Sequence, residues 1–346
     1  SPLSPPPLEP LSHVQRVEAG RVLGKLGDAR PEITLEGMQF CPVPAGAFLM
    51  GEEEEEGEYN VRWPFWMGRY PITNGQYQQF VEDGGYEMEA LWKEAGEAGC
   101  WKDGHIEDWL GTTTAGPEQY GDPFGFHNHP VVGVTWYECL AFTRWLSRYW
   151  TKQATHSIPA GWEFRLPTEP EWEKAAKGGI LTRQPFTGSV NADLFPSADM
   201  LALHLEANKH NSIETQDNPN TNRSYPWGRS EDEDACSPER LNFGDSDLHS
   251  TNAIGAYPTG ASDYGCEEMS GGVWEWMMNK YAGYPYDPKD DREKVDEKED
   301  SRVLRGGSFA NGSLYVRCAY RGWDGPDYRD YSLGFRILCS PITSDL

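Results

Sequence analysis

Apolar residues recur at helical spacing in only a few stretches of this chain, and most of those stretches carry their own start signal. In HVQRVEAGRVLGKLGDAR (13–30) they fall at Val14, Val17, Val22, Leu23 and Leu26, which predicts a short helix ending near Gly27. In WPFWMGRYPITNGQYQQFVEDGG (63–85) a strand-like run gives way to a helix. Thr73 or Asn74 is its cap, and Tyr77, Phe80 and Val81 form its apolar face. HPVVGVTWYECLAFTRWLSRYW (129–150) repeats the scheme, with Thr135 as cap and Ala141, Trp145 and Leu146 on one face. FRLPTEPEWEKAAKGG (164–179) has the fullest signal: Thr168 as cap, Pro170 in the first turn, Glu171 as its capping-box partner and Gly178 as stop.

Elsewhere the pattern is short and broken. MQFCPVPAGAFLMG reads as two short strands around a Pro-Ala-Gly turn. Val273–Met278, Arg302–Leu304 and Gly334–Leu338 read as strands in the last third. Residues 92–128 and 180–235 are polar and read as insertions. A few helices followed by short strands predict an α+β fold with long insertions and much irregular structure, not a parallel βαβ sheet.

Composition sharpens this picture. Trp 14, Tyr 17 and Phe 13 in 346 residues supply ample core, while Gly 37 and Pro 26 imply many turns. The net charge of −25 repels a phosphate backbone, so no nucleic-acid partner is expected. The acidic runs Glu52–Glu56 and Asp290–Asp300 read as solvated loops. No apolar run approaches the roughly 20 residues of a membrane span, and no signal peptide is read. The seven cysteines are scattered and odd in number, with no C-x-x-C pair. That suits a reducing, cytoplasmic setting and argues against a zinc ribbon. His127 and His129 are the one close histidine pair, and their i, i+2 spacing is not the helical metal pair. No P-loop or G-x-S-x-G is present. Pro-rich SPLSPPPLEP (1–10) reads as a linker.

The closing segment, residues 305–338, has firm ends (Arg305-Gly306-Gly307-Ser308 and Gly334-Phe335-Arg336) around a middle with no helix or strand period. That middle is rich in Tyr, Trp, Asp, Gly and Ser, the composition of antibody paratopes. Tyr315, Tyr320, Trp323, Tyr328 and Tyr331 are candidate anchors. Asp324, Asp327 and Asp330 favour a basic or amide-bearing ligand. Arg317, Arg321 and Arg329 read as scaffold that binds carbonyls or carboxylates beneath the loop.

The series PVPAGAFLMG, YPITNGQYQQFV, HPVVGVTWYECLAFTRWLS, FRLPTEPEWEKAAKGG, YPWG, MSGGVWEW, RVLRGGSF and GFRIL resembles the formylglycine-generating-enzyme (sulfatase-modifying factor) family over roughly residues 37–339. The resemblance implies a C-type-lectin-like fold, with residues 37–346 as the domain and 1–36 as linker and helix joining an upstream effector domain. The family's thiol oxidase holds copper with two cysteines just after the Gly-Gly-Ser motif. Here Phe309–Arg317 contains none, so copper is not expected. A second branch of the family holds iron with histidines of a helical-bundle domain ahead of the shared fold, which this sequence does not show, so iron is not expected either, no catalytic residue is assigned, and no enzymatic activity is expected. The opposing possibility is a metal-dependent oxidase of the same family.

The segment resembles most closely the variable proteins of diversity-generating retroelements, in which a fixed scaffold displays residues rewritten at adenines. Such a protein binds an unidentified protein or surface ligand. The varied positions implied are Ala310, Asn311, Gly312, Leu314, Tyr315, Tyr320, Gly322, Trp323, Asp324, Gly325, Asp327, Tyr328, Asp330, Tyr331 and Ser332. Fourteen of these fifteen residues are reachable from an AAC codon by changing its adenines, and Trp323 is not. An ordinary Gly/Tyr/Asp-rich loop remains the alternative. EEMSGGVWEW is similar to the family's calcium motif and implies Glu268, the Gly271 and Val273 carbonyls and Glu275 as ligands. A second, weaker set falls at Asn242, Asp245 and Asp247. The competing reading pairs Glu275 with an arginine such as Arg305 or Arg336.

Overall fold

The computed structural model describes residues 11–152, 158, 161–183, 215–295 and 300–342. The Pro-rich 1–10 stretch, residues 184–214 of the polar insertion and residues 296–299 of the second acidic run lie outside the described residues.

Among the described residues five α-helices form: α1 (His13–Leu26), α2 (Asn74–Glu82), α3 (Lys93–Ala98), α4 (Trp136–Lys152) and α5 (Glu169–Lys177). α2, α4 and α5 start at the expected caps, α1 spans the expected short helix, and α3 arises without a side-chain cap in the insertion read as polar. Thr73 and Gln76 close a capping box on α2. On α4 the Glu138 carboxylate accepts from the Thr135 N–H at 2.7 Å. On α5 the Glu171 carboxylate accepts from both the N–H and the hydroxyl of Thr168. These bonds satisfy N–H groups that the first helical turn leaves unpaired. Helix α1 packs on the domain: Val17 meets Ala256 and Tyr257, and a Cβ on Gly20 would stand 2.6 Å from that of Ala253.

The strands are short and, among the described residues, divide among five sheets. The first four in the chain are β1 (Phe40–Val43), β2 (Gly46–Met50), β3 (Gly57–Val61) and β4 (Phe65–Gly68). β1 and β2 do form on either side of the Pro-Ala-Gly turn, but they do not pair with each other. β1 pairs β4 and β2 pairs β3, all antiparallel. The 92–128 insertion carries a small sheet of β5 (Trp101–Lys102), β6 (His105–Glu107) and β7 (Thr113–Thr114). β8 (Trp162–Arg165) precedes α5, and β9 (Leu181–Arg183) pairs β10 (Thr215–Asp217).

Two four-stranded sheets frame the last third. One has the order β13 (Gly322–Asp324), β12 (Arg302–Arg305), β11 (Trp274–Lys280), β14 (Leu333–Gly334). The other has the order β1, β4, β15 (Leu338–Pro341), β8. The single strand expected over 334–338 is therefore two, and the chain crosses between sheets at Phe335–Ile337. Arg336 fixes the crossing, its guanidinium held by Glu275 and by the carbonyls of Gly68, Glu267 and Glu268. β13 is an edge strand inside the stretch whose sequence showed no strand period.

The larger apolar cluster joins α2 and α4 through Tyr77, Phe80, Phe142 and Phe335. The smaller surrounds Trp172 of α5 with Phe48, Met67, Met277 and Val303. Two tryptophans lock α4 to β11: Trp136 donates its indole N–H to the Met277 carbonyl and Trp276 donates to the Val134 carbonyl. Among the described residues no helix is long and apolar enough to cross a membrane.

Candidate functional site

Residues 305–336 sort by exposure along the division drawn from their types. Arg305–Ser308, Val316, Cys318, Ala319, Pro326, Arg329 and Leu333–Arg336 are buried, and Arg317 and Arg321 are half-buried. Of the fifteen candidate contact positions, Ser332 alone is buried. Ala310, Gly312, Leu314, Tyr315, Trp323 and Tyr331 are exposed, and the other eight are half-buried.

The backbone holding them is pinned from below. Gly307 has φ +69°, and a Cβ there would stand 2.7 Å from both the Tyr315 carbonyl and a Val316 methyl, so only glycine fits. The Asn311 side-chain oxygen accepts from the N–H and hydroxyl of Ser308 and closes the first turn. Val316 seats in a cluster of Tyr225, Trp227, Leu241 and Phe243. The arginines then tie the segment to the scaffold, two of them to α5. Arg305 donates to the Ala319 and Tyr320 carbonyls and pairs with Glu173 of α5. Arg317 pairs with Glu52 at 2.8 Å. Arg321 grips both oxygens of Glu169 and the Ala282 carbonyl. Arg329 reaches into the 92–128 insertion, to Asp108 at 3.0 Å and to the Thr114 hydroxyl at 2.9 Å. Burial would push the Asp108 carboxyl up, but the N–H groups of Thr112 and Leu110 and Arg329 outweigh it and hold it below the usual range.

Part of this face lines a cleft of about 350 Å³. Ala310, Asn311, Gly322, Trp323, Asp324, Tyr328, Asp330, Tyr331 and Ser332 line it, together with Trp274, Leu304, Ser308 and Leu333. Gly312, Leu314, Tyr315, Tyr320, Gly325 and Asp327 lie outside its lining. Burial, with Asp330 and Asp327 nearby, pushes the Asp324 carboxyl up. Burial and Asp330 push the Tyr328 hydroxyl up to about 12.

Sequence reading missed the fixed aromatics that back this face. Tyr281 lies 4.6 Å from Trp323, Trp109 5.5 Å from Tyr328, and Tyr120 and Phe124 6.1 and 6.3 Å from Tyr331. Their one signal was aromatic side chains inside otherwise polar stretches.

The residues do not assemble the expected metal sites. Glu275 is fully buried and spent: Arg336 donates to both its oxygens at 2.6 and 2.7 Å, and Trp172 donates at 2.7 Å. Of the two readings of the EEMSGGVWEW motif, the arginine pair is the one formed, with Arg336 and not Arg305. Glu268 accepts from the Gly255 N–H, and its carboxyl is pushed up to about 8 by burial and by Glu267. With both Glu275 oxygens already taken by Arg336 and Trp172, the set does not fit calcium beside the Gly271 and Val273 carbonyls. The second set is also apart: Asn242 is buried and donates to Ser250 and Asn252, while Asp245 and Asp247 are exposed. Among the described residues no three His, Cys, Asp or Glu side chains converge to hold a metal ion. A two-thiolate copper centre does not fit either. Cys318 is the one cysteine of the segment, and burial pushes its thiol up to about 12. His127 is exposed and His129 buried.

Comparison with known proteins places this geometry. A family model described as the sulfatase-modifying factor enzyme 1-like domain matches residues 27–341. The chain is 30% identical over 294 residues to the hercynine oxygenase of Mycobacterium tuberculosis, covering 79% of this chain and 52% of that protein. It is 26% identical over 349 residues to the formylglycine-generating enzyme of Thermomonospora curvata, covering 90% and 96%. Among solved structures, Treponema denticola variable protein 1 overlaps with a TM-score of 0.50 at 19% identity, over 88% of this chain and 95% of that one. The overlap shows the fold, α+β and C-type-lectin-like, as the segment order implied. The chain spans between half and three-fifths of the length of the hercynine oxygenases it matches. The expectation that the chain has no enzymatic activity is corrected by these relatives, which carry the names of enzymes.

Proposed function

The chain belongs to the sulfatase-modifying factor enzyme 1-like family, and from the exposure of its closing segment we propose that it works as a recognition protein whose fixed lectin-like scaffold presents residues 310–332 to a protein or surface ligand. In this reading the segment is the diversified region of a retroelement variable protein. One observation carries it: of the fourteen positions whose residue types fit adenine rewriting, all but Ser332 are exposed or half-buried, while the arginines around and between them are bonded to the scaffold. Such a division lets side chains change while the backbone stays.

The test is the coding locus. A reverse-transcriptase gene and a near-copy of the final coding segment should lie beside it, differing only at adenines and within the fifteen codons. A locus without that copy removes the basis of the proposal.

A second reading, turnover of a substrate bound in the same cleft, is favoured by the enzyme names of the relatives. Oxygen uptake in the presence of a thiol substrate, abolished by Tyr328→Ala with Tyr331→Ala, would support it.

A further inference from the structure

The cleft between Trp323 and Tyr331 has aromatic walls and charge of one sign. Trp274, Trp323, Tyr328 and Tyr331 supply the walls, and Asp324 and Asp330 also line it. Among the described residues, burial, the Gly325 N–H and the nearby Asp330 and Asp327 act on the Asp324 carboxyl, and no cation does. The neighbouring arginines are spent below the surface, Arg321 on Glu169 and Arg329 on Asp108. Asp330 turns one oxygen to the Ser332 N–H and hydroxyl, and its other oxygen lies 3.4 Å from the Tyr328 hydroxyl.

Two further features bear on the occupant. The three aromatic anchors do not stand free, since Trp323 leans on Tyr281, Tyr328 on Trp109, and Tyr331 on Phe124 and Tyr120. A wall braced in this way loses little side-chain entropy when it is covered. The surface around the cleft is also apolar and exposed: Trp109 and Leu110 on one side, Leu314 and Tyr315 on another. Tyr315 connects back to the cleft through Tyr320 and Trp274. Such a rim suits a macromolecular surface better than a small solute.

We propose that this aromatic groove receives a basic side chain, arginine foremost, from a surface loop of a protein partner. The inference rests on reading 310–332 as a recognition face and adds the chemistry of what is recognised. A guanidinium stacks flat on indole and phenol rings while its N–H fork meets a carboxylate, and the groove offers both at once. Trp109 and Tyr281 are then constant parts of the face, shared by whatever residues occupy the segment.

The experiment is a fluorescence titration of the intact chain with the acetylated tripeptide amide Gly-Arg-Gly, against the same peptide with citrulline in place of arginine. Citrulline keeps the shape and removes the charge. The arginine peptide should saturate the tryptophan signal at about tenfold lower concentration. That preference should vanish in Asp324→Asn with Asp330→Asn, the two acids that line the cleft, and in high salt. Equal titration by both peptides, or a preference untouched by the two asparagines, overturns the inference. The outcomes separate the two proposals. A template copy at the locus with no arginine preference leaves the recognition reading standing alone. Arginine preference without a template copy leaves the basic groove without diversification.

Discussion

Glu275 shows how far a single residue could be read from sequence. Its motif left two partners open, a calcium ion or an arginine, because either satisfies a buried carboxylate. The partner proved to be Arg336, which lies far along the chain, and no local pattern reports that distance. The arrangement predicts a large penalty for breaking one side. Glu275→Gln should destabilise the protein by about 3–5 kcal/mol in urea unfolding, because Arg336 then carries an uncompensated buried charge. Added calcium should leave the melting temperature of the wild type unchanged, and a rise of several degrees would return Glu275 to the metal. His129 makes the second prediction at this scale. Burial, with Arg21 adding to it, lowers the imidazole from 6.5 to about 3. Its Nδ1 lies 2.9 Å from the Thr251 hydroxyl, and its Nε2 has no hydrogen-bond partner among the described residues. A histidine whose folded value is depressed contributes stability that is complete above the unfolded value and is lost as pH falls toward the folded one. Between pH 7 and 4.5 the wild type should therefore lose on the order of 2–3 kcal/mol that His129→Gln does not lose. Parallel acid curves for the two proteins would refute this.

At the scale of elements, capped helices were legible, while the uncapped α3 and the strand partners were not. Thr73, Thr135 and Thr168 mark helix starts because a cap and its N3 partner are three residues apart, which sequence displays directly. Strand pairing is non-local. β1 and β2 looked like a hairpin across Pro44-Ala45-Gly46, yet each found another partner, and β15 closes a sheet with β4 and β8 from much earlier in the chain. The same non-locality hid the role of the 92–128 insertion. It read as a polar excursion, but its Asp108 anchors Arg329 and its Trp109 braces Tyr328. Asp108→Ala should therefore act on two elements together. It should expose both the 108–114 loop and residues 322–332 to limited proteolysis, and weaken ligand binding at the face, while the far sheet of β1, β4, β15 and β8 keeps its protection from hydrogen exchange. Cleavage confined to the 108–114 loop would show that the insertion and the segment are not coupled through Arg329.

For the whole molecule the question is whether the binding face and the fold are separable. The division between outward and buried positions in the segment was largely legible in residue types, because Arg, Val, Cys, Pro and Phe recur where the backbone must be held. The braces Trp109, Tyr120, Phe124 and Tyr281 were not, since their nearness exists only after folding. Separability makes a quantitative claim. Leu314, Tyr315, Trp323 and Tyr331 are 65%, 44%, 55% and 46% exposed, so replacing one removes rim contacts and little core. Surface changes of this kind cost about 0.5 kcal/mol each, so Leu314→Asn, Tyr315→Ser, Trp323→Asn and Tyr331→Asn together should cost roughly 2 kcal/mol. In a chain of this size that is a melting shift of only a few degrees. Arg305 has no exposure and serves two carbonyls and two α5 carboxylates. Arg305→Ala strips Glu173 and Glu169 of a buried counter-charge and should by itself cost about 3–5 kcal/mol. One buried change should thus outweigh four exposed ones in calorimetry, while the four, and not the one, alter which surfaces the folded protein binds. If the fourfold variant melts as low as Arg305→Ala, the aromatic face is part of the core, and the scaffold cannot carry a freely varied surface.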